Sequence, residues 1–160
     1  MKILIDGYNL LHASGIFGGV RGERGFEASR RALLDEIAKL LGGSAAGVTV
    51  IFDAADAPPG LPERSIHEGI DVRFARRHAS ADALIEELIE DHDAPTALTV
   101  VSSDNRVMAA ARRRRAKPVP SGEWLTGLRA AAREKAAAGD AKPPEPGPEG
   151  AGYWKDYFGL

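Results

Sequence analysis

Three short apolar runs, KILID (2–6), VTVIFD (48–53) and ALTVVSSD (97–104), each end in an aspartate, and stretches of helical period lie between them. Between the first two, residues 23–41 place Phe26, Leu33, Leu34, Ile37, Leu40 and Leu41 on one helical face, and Gly42 and Gly43 stop that helix. IDVRFA (70–75) reads as a further strand, and Ser80 caps a helix to about residue 91 whose buried stripe is Leu84, Ile85, Leu88 and Ile89. A helix over 105–115, a short edge strand KPVP and a helix EWLTGL capped by Ser121 follow. Strand–helix alternation of this kind specifies an α/β chain: a mostly parallel sheet covered by helices on both faces. In such sheets the ligand crevice lies beyond the carboxyl ends of the strands, so the terminal aspartates are the residues to examine.

The 160 residues suit one domain with a tail, and 44% apolar with 28% charged residues is ordinary for a folded protein. Twenty-one Lys and Arg against 23 Asp and Glu give a net charge of -2, which excludes a strongly basic nucleic-acid coat protein. There is no cysteine, so disulfides, thiolate zinc sites and cysteine nucleophiles are excluded. MKILIDGYN reaches Asp6 too soon for a signal peptide, and no apolar run approaches a membrane span, so a cytoplasmic protein is expected. After Gly139 the composition changes. The stretch GDAKPPEPGPEG holds four of the ten prolines and reads as an extended linker, and GYWKDYFGL beyond it holds four of the ten aromatics, Tyr153, Trp154, Tyr157 and Phe158. The expected organisation is a domain over 1–130, a helix end and linker over 131–150, and an aromatic docking segment over 151–160, for which a homodimer contact is one role.

Asp6, Asp53 and Asp104 follow apolar strands, and Asp82 begins a helix. Singly, each has a structural use as a turn or capping residue. Jointly, clustered carboxylates repel and are tolerated when divalent cations neutralise them, and oxygen-only ligands suit Mg²⁺ or Mn²⁺. Two such ions activate a water and stabilise the leaving oxygen of a phosphodiester. On the helix carrying Asp82, Glu86 lies about 40° further round on nearly the same face, as an acid that supports the metal ligands or is itself one, whereas Glu87 points away.

DGYN (6–9), IFDA (51–54), ADALIEE (81–87) and VVSSDN (100–105) resemble the YacP-like branch of the NYN domains, within the PIN-like nuclease superfamily. The resemblance runs over about residues 1–128. It implies a Rossmann-like three-layer α/β/α sandwich, Mg²⁺- or Mn²⁺-dependent endoribonuclease activity, and Asp6, Asp53, Asp82 and Asp104 as the metal-binding acids. Asn9 then orders the first loop or touches a phosphate. RNA is the expected partner, with ribosome association a further expectation.

Positive charge is clustered despite the acidic balance. Residues 106–117 carry five Arg and one Lys without an acid, with Arg112, Arg113, Arg114 and Arg115 consecutive. Arg73, Arg76, Arg77 and His78 precede the Asp82 helix. Arg76, Arg77 and Arg112–Arg115, with Asn105, are the expected contacts to the RNA backbone. Arg21 and Arg24 lie in a glycine-rich stretch without a GxGxxG or P-loop pattern, read as a substrate-facing loop. His12, His67 and His92 read as surface or local structure, with His12 the one near the site. Two other readings compete. A phosphatase of the haloacid dehalogenase type needs an Asp two residues after the first, where Tyr8 stands. A catalytically inactive RNA-binding or scaffold protein would use the Arg clusters alone.

Overall fold

The structure, a computed structural model, describes residues 1–16, 23–57 and 59–140. Its elements in chain order are β1 (Ile3–Asp6), α1 (Gly7–Ser14), α2 (Glu23–Leu41), β2 (Val48–Phe52), β3 (Arg64–His67), β4 (Ile70–Phe74), α3 (Ala81–Glu90), β5 (Thr99–Val101), α4 (Asn105–Arg113), β6 (Lys117–Val119) and α5 (Ser121–Asp140). The six strands form one sheet in the order β3-β4-β2-β1-β5-β6, parallel throughout except for the antiparallel β3–β4 pair.

Alternation along the strands divides the core in two. Ile3 and Ile5, with Val48, Val50 and Phe52, face Leu10, Leu33, Ile37, Trp124 and Leu128 of α1, α2 and α5. Leu4, Ile51 and Val100 face the opposite way, onto Leu84, Ile85 and Ile89 of α3 and Val107, Ala110 and Ala111 of α4. The chain is thus an α/β/α sandwich, as expected from the strand–helix alternation. The stripes anticipated on α2 and α3 are the buried ones: Leu33, Leu34, Ile37 and Leu41 on the first, Leu84, Ile85 and Ile89 on the second.

Three elements differ from the sequence reading. Asp6-Gly7, for which a turn is one structural use, leads straight into helix α1, which closes at Gly15 in the left-handed conformation (φ 76°). A sixth strand that the sequence reading lacks, the edge strand β3, pairs antiparallel with β4 through a two-residue turn at Glu68 and Gly69, both at positive φ. Ser121 is the first residue of a 20-residue helix, longer than the short EWLTGL segment, and its hydroxyl bonds to Asn9 instead of capping. The glycine-rich loop with Arg21, the proline-rich linker and Tyr153, Trp154, Tyr157 and Phe158 lie outside the described residues.

Candidate functional site

In the strand order, β2 and β4 continue to one side of β1 while β5 and β6 continue to the other. The connections therefore part beside β1, and the crevice of such a sheet opens there at the carboxyl edge. Asp6 ends β1 at that point, 7% exposed, and its Oδ2 accepts a hydrogen bond from Ser102 Oγ at 2.9 Å. Burial pushes the Asp6 carboxyl up from 3.8 to about 6, against the Ser102 hydrogen bond, and Asp82 and Asp104 push it further in the same direction. The glycine after it is needed for close approach: a Cβ on Gly7 would lie 2.5 Å from the Phe52 ring and 2.8 Å from the Ile51 carbonyl oxygen. Tyr8, where a phosphatase would carry its second Asp, packs edge-on against Phe26 and Phe52, and its hydroxyl accepts from Arg30 Nη1 at 3.0 Å.

The other three aspartates reach the same edge from three different junctions. Asp53 follows β2 and accepts from Ala55 N at 3.1 Å. Asp82 occupies the first turn of α3, which Ser80 caps through Ala83 N. Asp104 caps α4, accepting from Arg106 N at 2.8 Å and Val107 N at 3.2 Å. Partial burial raises the Asp82 carboxyl, Asp104 adds to the rise, and Glu86 and Asp53 do so less; Arg106 opposes them. The four aspartates thus press on one another electrostatically through Asp82. They are not drawn tightly together: among the described residues, the trio of acids and histidines with ligand atoms all within 4.8 Å of one another is Asp35, His67 and Glu68, away from this edge.

Asn9 ties the site to the last helix. Its Oδ1 accepts from Ser103 N at 2.8 Å and from Ser121 Oγ at 2.6 Å, so it fixes the loop that presents Asp104. Glu86 is held by a cation: Arg106 Nε and Nη2 donate to its two carboxylate oxygens at 2.6 and 3.1 Å. Ser102 and Arg106 are the residues that sequence reasoning passed over. Ser102 stood inside the quoted VVSSDN motif and Arg106 at the head of the basic run, but their partners lie on β1 and α3, far away in sequence.

The basic residues divide by environment. Arg76, Arg112, Arg113 and Arg115 are exposed, as is Asn105 at the start of α4. Arg77 is also exposed and pairs with Glu63 at 3.3 Å. Arg114 is half-buried and donates to the His92 carbonyl at 3.2 Å, so one member of the four-Arg run has a structural use. Arg73 pairs with Asp71, and His78 with Glu87. A recess of about 270 Å³ lined by Arg64, Arg73, Phe74, Arg77 and His78, among others, lies on the β3–β4 side and includes none of the four aspartates. His67 bonds Asp35 at 2.7 Å and His92 bonds the Met1 carbonyl at 2.8 Å, both local structural contacts.

The donor set suits a hard divalent cation. It consists of carboxylate oxygens, one buried and raised in pKa with Asp82 and Asp104 repelling it, so a cation relieves an unfavourable charge already present. Carboxylates set apart also suit Mg²⁺, which usually keeps several of its waters and binds through one or two carboxylates. Among the described residues, no helix is long and apolar enough to cross a membrane.

The family profile of the YacP-like NYN domain matches residues 3–149. Two crystal structures of Rae1 (YacP) from Bacillus subtilis have the same fold. A tryptophan-to-leucine mutant is 26% identical, with 86% of this chain and 80% of that one covered and a TM-score of 0.66. The second is 24% identical, covering 88% and 83%, with a TM-score of 0.61, a likeness of fold alone. No curated protein matches the chain. With the profile spanning nearly the whole sandwich and the site motifs, the chain belongs to the YacP-like NYN domain family, and its α/β sandwich is the PIN-like nuclease fold.

Proposed function

We propose that the chain is an endoribonuclease that hydrolyses RNA phosphodiester bonds with Mg²⁺ or Mn²⁺ held by Asp6, Asp53, Asp82 and Asp104. The observation that carries this reading is Asp6, a buried carboxyl at the carboxyl edge whose pKa is raised to about 6 in the field of two further aspartates. A bound cation supplies a Lewis acid that lowers the pKa of water and offsets charge on the phosphate. The protein's own part is to fix the acids: Ser102 orients Asp6, Ser80 caps the helix bearing Asp82, and Asn9 holds the loop before Asp104. Backbone contacts to RNA fall to the exposed Arg76, Arg77, Arg112, Arg113 and Arg115 with Asn105, and such contacts carry affinity without sequence information. Family membership supports RNA as the substrate class. The ribosome as the place of action, the cytoplasm as the compartment, and a homodimer through the aromatic C-terminal segment extend the same reading.

The test is incubation of the full chain with an end-labelled single-stranded RNA, with Mn²⁺, with Mg²⁺ and with EDTA. Internal cuts in either metal and none in EDTA are expected. Intact RNA in both metals would overturn the nuclease reading, and tight RNA binding under those conditions would favour an inactive RNA-binding protein of the same fold.

A further inference from the structure

We propose that Arg106 is the cation that receives the substrate phosphate at the aspartate cluster, and that Glu86 is its positioning residue and not a metal ligand. The proposal rests on the endoribonuclease reading and adds to it the residue that binds the anionic substrate next to four acids.

The helices α3 and α4 pack side by side on one face of the sheet, with both N-termini at the carboxyl edge. Asp82 lies in the first turn of α3, and Glu86 lies one turn later on nearly the same face. Across from them, Asp104 caps α4 and Arg106 is its second residue. The Arg106 side chain bridges the two helices, with Nε on Glu86 Oε1 at 2.6 Å and Nη2 on Oε2 at 3.1 Å. That fork-on-fork contact fixes the plane of the guanidinium and uses two of its five N–H groups. The other three have no acceptor among the described residues. The Arg106 side chain is 57% exposed, so a phosphate has access to it. Arg106 follows Asp104 by two residues, and its partner Glu86 follows Asp82 by one helical turn, which places the guanidinium at the margin of the two aspartates.

This geometry gives Glu86 a different use from the one its helical position suggested. Each of its oxygens accepts from the guanidinium, and drawing the carboxylate toward a divalent cation would loosen its hold on Arg106 beside a second positive charge. An RNA strand approaching four carboxylates is repelled, and a fixed cation at the rim lowers that cost for the phosphate that must enter. Arginine suits the position because one edge can hold the carboxylate while another meets the phosphate. A lysine ammonium has neither the fork nor the fixed plane.

The experiment compares the full chain with Arg106→Gln, Arg106→Lys and Glu86→Gln. Cleavage kinetics are measured on a short single-stranded RNA, and Mn²⁺ affinity is measured without RNA. Arg106→Gln is expected to lower kcat/KM by about 100-fold, the loss seen when one donor to a developing anion is removed. Its Mn²⁺ affinity stays equal or rises. Arg106→Lys does not restore activity. Glu86→Gln lowers kcat/KM about tenfold while leaving Mn²⁺ affinity within about twofold, an intermediate loss because the donor remains but its orientation is freed. A tenfold loss of Mn²⁺ affinity in Glu86→Gln would make Glu86 a ligand and overturn the proposal, as would normal cleavage by Arg106→Gln. Should the unaltered chain cut no RNA, the nuclease reading fails by itself. RNA affinity in Ca²⁺ then decides about Arg106: weaker binding by Arg106→Gln with a flatter salt dependence supports a phosphate contact, and unchanged binding refutes it.

Discussion

Ser102 and Asp6 join the carboxyl ends of β5 and β1: the Ser102 hydroxyl donates to Asp6 Oδ2 at 2.9 Å and accepts from Asp104 N at 3.0 Å. One fully buried serine therefore sets the spacing of two of the acids. Its hydrogen bond does not compensate for burial, since the Asp6 carboxyl still titrates at about 6 instead of 3.8. An acid raised in the folded state binds its proton there more tightly than in the unfolded chain. Its contribution is neutral below pH 3.8 and becomes destabilising as pH rises to about 6 and beyond. The cost above that window is up to about 3 kcal/mol. Relative to Asp6→Asn, the metal-free protein is expected to lose stability between those pH values in urea unfolding, and saturating Mn²⁺ is expected to remove the difference. Parallel pH profiles for the two proteins would contradict the assignment.

Gly7→Ala tests how the first strand is set against the second. The added Cβ meets the Phe52 ring at 2.5 Å and the Ile51 carbonyl oxygen at 2.8 Å, so a shift of the ring alone does not make room and the start of α1 must move from β2. Overpacking of this kind costs about 1–3 kcal/mol, measurable by denaturant unfolding. Because Asp6 is the adjacent residue, metal affinity is expected to fall together with stability.

Asn9→Ala removes the acceptor shared by Ser103 N and Ser121 Oγ. Ser121 is fully buried, so its hydroxyl is left unpaired at a cost of about 1–3 kcal/mol. Ser121→Ala, which removes the donor itself, is expected to cost less. Amide hydrogen exchange should show faster opening at 102–104 in the Asn9 variant, while unchanged protection would refute the clamp.

The four-Arg run is expected to split in function. Replacing Arg112, Arg113 and Arg115 with Gln should weaken RNA binding and lower the slope of log affinity against log salt by about 2, at roughly 0.7 per phosphate contact on a single strand. Arg114→Gln should instead reduce the melting temperature, because this side chain is bonded to the His92 carbonyl. Equal effects of all four on RNA binding would mean a uniform basic surface.

Much of this fold was legible because its signals are periodic. The apolar runs ending at Asp6 and Asp53 and the stripes of α2 and α3 can be read from the chain, and so can the placement of the strand-end aspartates at one edge of the sheet. What could not be read depends on partners distant in sequence. Helix α1 was hidden because DGYN has turn composition, and only the packing of Leu10 and Leu11 under the sheet makes it a helix. Strand β3 is exposed and charged, with Ile66 66% exposed, so no apolar alternation marks it. The C-terminal two-thirds of α5, rich in alanine and polar residues, lacks the apolar stripe that would reveal its length. Glu86 could be placed on the Asp82 face by helix geometry, but its pairing with Arg106 depends on the packing of α3 against α4.

The central claim is that the strand-end aspartates form one cation site, and a Mn²⁺ titration of the full chain against Asp104→Asn, followed by water-proton relaxation, tests it most directly. Asparagine caps a helix as well as aspartate, so α4 keeps its start and one repelling charge is removed. The expected result is saturable binding to the unaltered chain and at least tenfold weaker binding to the variant, at an equal or higher metal-free melting temperature. Equal Mn²⁺ affinity in the two proteins would contradict the claim.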